Sequence, residues 1–241
     1  MAVRWITPDW PAPPGVRAAS SLRAGGVSLA AYASLNLGAH VGDEPAHVAE
    51  NRRRLAAALA LPAEPVWLSQ VHGIRVVRAD APDSLTADAA YTQAAGVVCA
   101  VMTADCLPVL LCSRDGGTVA AAHAGWKGLL GGVVEATVAA VGSRDLMAWL
   151  GPAIGPQAFE VGDEVRAAFL AQDAGFATGF RPLGAGRWLA DLYQLARVVL
   201  DRLDITDIHG GGWCTHGHPG DFFSYRRDRE TGRMATLIWR E

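Results

Sequence analysis

Two short apolar segments separated by a turn cluster lie near the middle of the chain, and they constrain the fold more than any other feature. Residues 107–112 (LPVLLC) and 118–122 (TVAAA) favour strands, and the intervening residues 113–117 (SRDGG) contain an Asp-Gly pair. This pattern predicts a β-hairpin, in which Cys106 lies roughly opposite His123. Residues that face each other across antiparallel strands have Cβ atoms about 5 Å apart. The sequence therefore predicts a thiol beside an imidazole at the open end of this hairpin.

The remaining pattern mixes helices and strands without a strict alternation. Helices are predicted over 46–60, 126–141, 161–172 and 188–203, and strands over 16–21, 66–72, 74–78, 96–102, 146–150, 205–208, 222–226 and 235–239. Gly128, Gly131 and Gly132 each weaken the second helix by about 1 kcal/mol relative to alanine. This cost indicates that another segment approaches the helix closely. Because no repeat or linker divides the chain, we expect one α+β domain over residues 1–241.

Composition excludes several classes of protein. The 241 residues, 51% of them apolar, are enough to form a hydrophobic core that needs no stabilisation by disulfide bonds. A net charge of −3 without long runs of like charge gives no indication of a nucleic-acid or membrane partner. The first ten residues lack the apolar core of a signal peptide, and no apolar run reaches about 18 residues. The four cysteines include no C-x-x-C pair, which favours reduced thiols in a cytoplasmic protein.

His72 adds a third candidate ligand to Cys106 and His123, because it ends a predicted strand and is followed by Gly73. Three protein ligands with an open fourth position are typical of catalytic zinc sites, whereas structural sites usually have four. Sulfur and imidazole ligands favour Zn²⁺ or copper over Mg²⁺ or Ca²⁺. We therefore expect these residues to bind zinc, with copper as the alternative, and to carry the catalysis. Zinc would activate water for attack on an electrophilic carbon.

Other interpretations of these residues remain open. A metal-free hydrolase or amidase would use Cys106 as the nucleophile and His123 as the base. A copper-dependent polyphenol oxidase is also compatible, although seven histidines do not easily supply the four coppers of a laccase. A structural zinc site is disfavoured by the lack of a fourth strong ligand nearby. His216 and His218 near Cys214 form a second cluster, but a Gly- and Pro-rich surface loop explains them more simply.

Several polar residues in Gly-rich or turn-flanked segments are candidate substrate contacts. Arginine is suited to bidentate recognition of phosphate or carboxylate groups. The helix start after Gly125 offers N–H groups at a positive helix end, which suits an anion. The candidate substrate contacts are Arg23, Ser28, Asn36, Asp105 and Arg226.

The motifs taken together resemble the YfiH-like (laccase-domain) family. In that family the metal is held by the His of V-H-G, the Cys of A-D-C and the His of A-H-A-G-W, which are His72, Cys106 and His123 here. The matching segments follow the family order over nearly the whole chain: RAGGVS (23–28), SLNLGAHVGD (34–43), NRRRL (51–55), SQVHG (69–73), ADA (87–89), TADCLPVLL (103–111), AAHAGWKGL (121–129), LGPAIG (150–155), FEVG (159–162) and FFSYRRD (222–228).

The resemblance implies a fold and a chemistry. The expected fold is α+β with layered mixed β-sheets flanked by helices. The implied activities are phosphorolysis of adenosine, inosine, guanosine or methylthioadenosine, and deamination of adenosine. The implied partners are therefore a purine nucleoside and phosphate, although older naming calls members polyphenol oxidases or laccases. Family members often carry a further Cys or aromatic residue in the C-terminal loop where this chain has His216 and His218.

Overall fold

The computed structural model describes residues 2–241, and its mixture of helices and strands confirms the α+β class. None of the helices in this range is long and apolar enough to cross a membrane. The strands are β1 (Trp5–Ile6), β2 (Val16–Ser21), β3 (Val66–Trp67), β4 (Val76–Arg78), β5 (Ala89–Thr92), β6 (Val98–Thr103), β7 (Leu107–Ser113), β8 (Val119–Ala124), β9 (Leu146–Leu150), β10 (Glu160–Gly162), β11 (Phe180–Gly184), β12 (Arg187–Ala190), β13 (Ile208–Gly210) and β14 (Met234–Arg240). The α-helices are α1 (Pro45–Leu59), α2 (Trp126–Gly131), α3 (Val133–Val141), α4 (Asp163–Gln172), α5 (Leu192–Arg202) and α6 (Tyr225–Asp228), with short 3-10 helices at Ala30–Tyr32 and Ala174–Gly179.

Within residues 2–241 the strands form three sheets. The five-stranded sheet has the order β1-β2-β14-β6-β3, and the six-stranded sheet has the order β13-β9-β7-β8-β5-β4. The third sheet is small and has the order β10-β12-β11. Both larger sheets are mixed, because β3 pairs parallel with β6 and β13 pairs parallel with β9.

Apolar side chains arrange the two larger sheets as layers. Val101 and Ile238 from the five-stranded sheet pack with Leu110, Ala121 and Trp149 from the six-stranded sheet. Since side chains alternate between the faces of a strand, each sheet has a second face to cover. The other face of the six-stranded sheet packs against α2 to α5, and the other face of the five-stranded sheet packs against α1. This arrangement agrees with the expected layered mixed sheets flanked by helices.

Strands β7 and β8 form the predicted hairpin, but their register corrects the expected pairing at its open end. Pro108, not Cys106, lies opposite His123, and Leu107 lies opposite Ala124. Cys106 therefore lies just beyond the paired part of β7. The preceding residue, Asp105, has a φ of +92°, so the chain turns sharply before it enters the strand.

The helix predicted over 126–141 is divided at Gly132, which has a φ of +98° and separates α2 from α3. The expected close approach at the other two glycines is confirmed. A Cβ at Gly128 would lie 3.3 Å from the carbonyl oxygen of Gly73, and one at Gly131 would lie 3.1 Å from the Ile74 side chain. Small residues thus let α2 pack directly on the loop that follows His72.

Three predicted strands are wrong in part or in full. Of the segment 205–208, only Ile208 lies in a strand, β13. The segment 66–72 is a strand only in β3, and the chain from 68 to 75 is a loop. The segment 222–226 is not a strand. Its two phenylalanines are buried, but Ser224 accepts a hydrogen bond from the backbone N–H of Arg227 and so caps α6.

The helix predicted over 188–203 begins later, at Leu192. The carboxylate of Asp191 accepts hydrogen bonds from the backbone N–H groups of Tyr193 and Gln194, which defines the helix start. The residues before it pair with β10 and β11 as β12, a strand that the helical spacing concealed.

Candidate metal site and adjoining cavity

The structure brings His72, Cys106 and His123 together at the ends of the inner strands β7 and β8 of the six-stranded sheet. His123 lies on β8, Cys106 directly precedes β7, and His72 lies in the loop between β3 and β4. Their potential ligand atoms all lie within 4.8 Å of one another, and Cys106 Sγ is 3.7 Å from His72 Nε2. Ligand atoms bound to one tetrahedral Zn²⁺ at about 2.0–2.3 Å lie about 3.3–3.8 Å apart. The three residues therefore fit a tetrahedral metal ion after a small contraction.

Asp88 orients the ring of His123. Its side chain is fully buried, and its Oδ1 lies 2.8 Å from His123 Nδ1. Since a carboxylate only accepts hydrogen bonds, Nδ1 carries the proton and Nε2 is left for a metal ion. The backbone is held as well, because the N–H of His123 donates to the carbonyl oxygen of Asp88 at 2.7 Å.

The same carboxylate holds the loop that carries His72. It accepts hydrogen bonds from the backbone N–H groups of Val71, His72 and Gly73, at 3.2, 2.9 and 2.7 Å. His72 has a φ of +60°, a conformation that costs a non-glycine residue about 1–2 kcal/mol. Three hydrogen bonds to a buried charge offset that cost, because charge-assisted bonds are the stronger kind. Asp88 thus fixes the position of two of the three candidate ligands.

The charges of the site favour a thiolate. Burial raises the pKa of Cys106. The charge of His123 and the hydrogen bonds to both histidines lower it by more than burial raises it, so the pKa is about 6. Burial lowers the pKa of His123, whereas the Cys106 thiolate and Asp88 raise it to about 9. Asp88 has a lowered pKa, because its hydrogen bonds to His123 and the loop outweigh the effect of burial. Without metal, the neutral-pH state is therefore a thiolate–imidazolium pair, and the thiolate is the form that binds metals.

Gly125 gives the sulfur its space. A Cβ at this position would lie 2.6 Å from Cys106 Sγ and 3.2 Å from His72 Cδ2. No side chain fits at this distance. The glycine after β8 therefore allows the start of α2 to lie directly against the candidate metal ligands.

A cavity of about 370 Å³ opens beside Cys106 and His72. This volume lies at the lower end of the range of small-molecule sites, about 300–1,000 Å³. Its apolar lining is Val71, Ala104, Trp126, Ile154, Phe159, Leu192 and Tyr225, and its charged lining is Asp105, Lys127, Arg226 and Arg229. The cavity thus offers aromatic faces to a planar ring and cationic groups to an anion.

Two of the five predicted substrate contacts, Asp105 and Arg226, line this cavity. The carboxylate of Asp105 is occupied, because it accepts hydrogen bonds from Thr215 Oγ1 at 2.6 Å, Ser224 Oγ at 3.0 Å and the Arg226 backbone N–H at 2.6 Å. It therefore ties the turn before β7 to the C-terminal loop. Both of its carboxylate oxygens therefore have partners within the protein.

The other three, Arg23, Ser28 and Asn36, are not part of the lining of this cavity. Arg23 donates to the carbonyl oxygens of Ala33 and Pro219, both at 2.9 Å. Ser28 and Asn36 are buried, and both donate to the carboxylate of Asp43, at 2.6 and 2.9 Å. Their polar groups thus stabilise the N-terminal loops.

The second histidine cluster does not assemble into a site within residues 2–241. Cys214 Sγ accepts hydrogen bonds from the backbone N–H groups of Gly155 and Gly217, at 3.3 and 3.4 Å. His218 Nδ1 lies 2.9 Å from the carbonyl oxygen of Cys214. These contacts close a loop, as the simpler interpretation expects.

Sequence reasoning did not assign roles to several residues of the site. Asp88 lies in the A-D-A segment. The one feature of the sequence that could have identified it is an acidic residue with a short side chain between two small apolar residues. Lys127 is the only lysine of the chain, and it directly follows the A-H-A-G-W segment. Tyr225 gave no signal, because its segment, 222–226, was predicted as a strand, and Arg229 lies beyond that segment.

Comparison with known proteins places this arrangement in a family. A family model described as multi-copper polyphenol oxidoreductase laccase matches residues 17–241. The chain belongs to the YfiH-like, laccase-domain family. A YfiH protein of Escherichia coli, named purine nucleoside phosphorylase, is 58% identical over 238 residues, which cover 97% of this chain and 98% of that protein. A purine nucleoside phosphorylase of Pseudomonas aeruginosa is 55% identical, over 98% of both chains.

Solved structures of the family have the same fold. A Neisseria meningitidis protein of the DUF152 family model superposes with a TM-score of 0.94 at 49% identity, and covers 98% of this chain and 99% of that chain. YlmD from Geobacillus stearothermophilus superposes with a TM-score of 0.90 at 34% identity, over 98% and 96% of the two chains. The YfiH-like fold is therefore shared over nearly the full length of this protein.

Proposed function

We propose that this YfiH-like protein is a zinc-dependent purine nucleoside phosphorylase that also deaminates adenosine. The observation that carries the proposal is the His72–Cys106–His123 set beside a cavity with both aromatic and cationic walls. The names of the Escherichia coli and Pseudomonas aeruginosa relatives support the same reaction class. The substrates would be adenosine, inosine, guanosine or methylthioadenosine, together with phosphate.

The residues of the cavity match the needs of phosphorolysis. A phosphate oxygen forms a bond to C1′ of the ribose while the bond from C1′ to the purine nitrogen breaks, and the proton that hydrogen phosphate gives up ends on the departing purine. Trp126, Phe159 and Tyr225 offer faces on which a purine can stack. Zinc, when bound, supplies Lewis-acid polarisation of the substrate. Asp88 keeps the histidine ligands in place, so that no reorganisation is needed during the reaction.

The interpretation as a copper oxidase has weaker support than the interpretation as a zinc-dependent phosphorylase. The family model carries a multi-copper description. A four-copper oxidase needs a blue copper site and three further copper positions, each with several imidazole ligands. Among residues 2–241, the group formed by His72, Cys106 and His123 is the one set of three or more potential ligands that converge. Oxidation of phenols would therefore depend on copper in this single site.

A metal-free hydrolase is favoured by one specific observation. Asp88, His123 and Cys106 follow one another in the order of a catalytic triad, with a carboxylate on one ring nitrogen and a thiol beside the other. His72 has no role in such a triad, yet it lies 3.7 Å from the sulfur. The additional imidazole of His72 favours the metal-dependent function over the metal-free hydrolase.

Metal analysis and product analysis separate these functions. Protein purified without added metal should contain one zinc per chain. Incubation with adenosine should release adenine and ribose 1-phosphate only when phosphate is present, and inosine would report deamination. Cys106→Ala should abolish both reactions and leave the circular dichroism spectrum unchanged, whereas the matched variant Cys214→Ala should retain them. If folded, zinc-loaded protein converts no purine nucleoside, the proposal is wrong.

A further inference from the structure

We infer that Lys127, Arg226 and Arg229 form the binding site for inorganic phosphate in this cavity. The inference rests on the proposed phosphorolysis, and it identifies which residues would hold the second substrate. Lys127 lies in the first turn of α2, Arg226 lies in α6, and Arg229 directly follows α6. The three cations therefore reach one cavity from two separate elements.

These cations are not neutralised by the protein. Within residues 2–241, none of the three side chains forms an ion pair with a carboxylate. Many arginines elsewhere are paired, such as Arg53 with Glu50 and Arg144 with Asp204. Uncompensated cations around a concave, partly apolar space concentrate anions there.

The acidic residue of the lining does not cancel this charge. Asp105 is 8% exposed, and its carboxylate accepts hydrogen bonds from two hydroxyl groups and one backbone N–H. The backbone N–H belongs to Arg226, so the same contact positions one of the three cations. Even when the Cys106 thiolate is counted with Asp105, three cations leave the lining with an excess of positive charge.

Contacts within the protein fix the position of the Arg226 guanidinium and leave some of its N–H donors unused. Its Nη1 donates to the carbonyl oxygen of Glu160 at 2.8 Å, and its guanidinium lies 5.2 Å from the centre of the Phe159 ring. A guanidinium has five N–H donors, so others remain for an oxyanion. Lys127 makes no hydrogen bond through its side chain within the described residues and contributes a point charge, as lysine does at many phosphate sites.

The position beside the candidate metal ligands explains why phosphate is the anion expected. Cys106 and His72 line the same cavity as the three cations. In phosphorolysis the phosphate must approach C1′ in the same space that holds the nucleoside. The phosphate group of a nucleotide has the same chemistry as free phosphate, and the experiment therefore includes adenosine 5′-monophosphate as a separate ligand.

The single lysine makes this site directly observable. Reductive methylation with ¹³C-formaldehyde keeps the charge of Lys127 and labels only this side chain and the α-amino group. The Lys127 signal is identified by its loss in Lys127→Ala. We expect inorganic phosphate to shift this signal in a saturable manner at constant ionic strength, while chloride does not. No saturable shift with phosphate, or a shift only with adenosine 5′-monophosphate, overturns the inference.

Kinetics test the same site in the unlabelled enzyme. Lys127→Ala and Arg229→Ala should each raise the KM for phosphate about 10-fold or more, while the KM for the nucleoside changes little. Arg144→Ala removes an exposed, ion-paired arginine outside the cavity and should leave both constants unchanged. If the KM for phosphate is unchanged in both Lys127→Ala and Arg229→Ala, the inferred phosphate site is wrong, whereas the proposed phosphorolysis is not contradicted. A saturable shift without phosphorolysis supports the site and contradicts the proposed function.

Discussion

The buried Oδ1 of Asp88 lies 2.8 Å from Nδ1 of His123, and the same oxygen accepts the backbone N–H of His72 at 2.9 Å. One side chain thus orients the ring of His123 and holds the backbone of the loop that carries His72, and the two imidazole rings have centroids 4.8 Å apart. The candidate metal site is therefore held by a residue that does not itself belong to the ligand set.

Asp88→Asn should weaken zinc binding about 10- to 100-fold. An amide cannot accept as many hydrogen bonds as the carboxylate, and its NH₂ group would face N–H donors of the loop. Competition with a chromogenic chelator measures the affinity. Asp83→Asn, which changes an exposed aspartate paired with Arg75, should bind zinc as the wild type does. Equal affinity for zinc in all three proteins would show that Asp88 does not position the ligands.

Gly125→Ala should disrupt the site by steric contact. The added methyl group would lie 2.6 Å from Cys106 Sγ, so the sulfur or the start of α2 must move. We expect loss of stoichiometric zinc, measured by metal analysis after dialysis. Gly212→Ala is the matched control, because a Cβ there meets no atom within 4 Å. Full zinc content in Gly125→Ala would be incompatible with the described packing.

Cys106 should remain reactive at unusually low pH once the metal is removed. Its pKa is lowered to about 6, so the thiolate persists above that pH and is lost as the pH falls through it. An ordinary cysteine has a pKa of about 8.5. The rate of alkylation by iodoacetamide, followed by mass spectrometry of the Cys106 peptide, should reach half of its plateau near pH 6, and added zinc should suppress it. A midpoint near 8.5 would contradict the thiolate–imidazolium pair.

Asp105→Asn should destabilise the fold. The variant loses charge-assisted hydrogen bonds from Thr215, Ser224 and Arg226, and we expect a loss of about 1–3 kcal/mol in the free energy of unfolding. Urea unfolding measures this change. A large loss of kcat without any loss of stability would contradict this structural role and indicate that Asp105 acts in the reaction.

Much of the secondary structure could be predicted from the local pattern of apolar and turn-forming residues. The hairpin, α1 and the central strands β6, β9 and β14 follow apolar runs and turn residues that identify them without further information. The errors have physical causes. Phe222 and Phe223 look like part of a strand because burial needs only apolar side chains, and Ser224 then starts a helix through a cap. The β12 segment merged with the following helix because its apolar spacing is compatible with both.

By itself, the sequence determined the ligand types and the approximate neighbourhood of Cys106 and His123, because the turn that joins β7 and β8 is local in the chain. Only the tertiary structure decided the geometry of the site. Asp88 is 35 residues from His123, and its hydrogen bonds to His123 on β8 and to the loop at 71–73 depend on β5 pairing with β8. The cavity likewise depends on α2 and α6, which are far apart in sequence and meet only when the sheets pack.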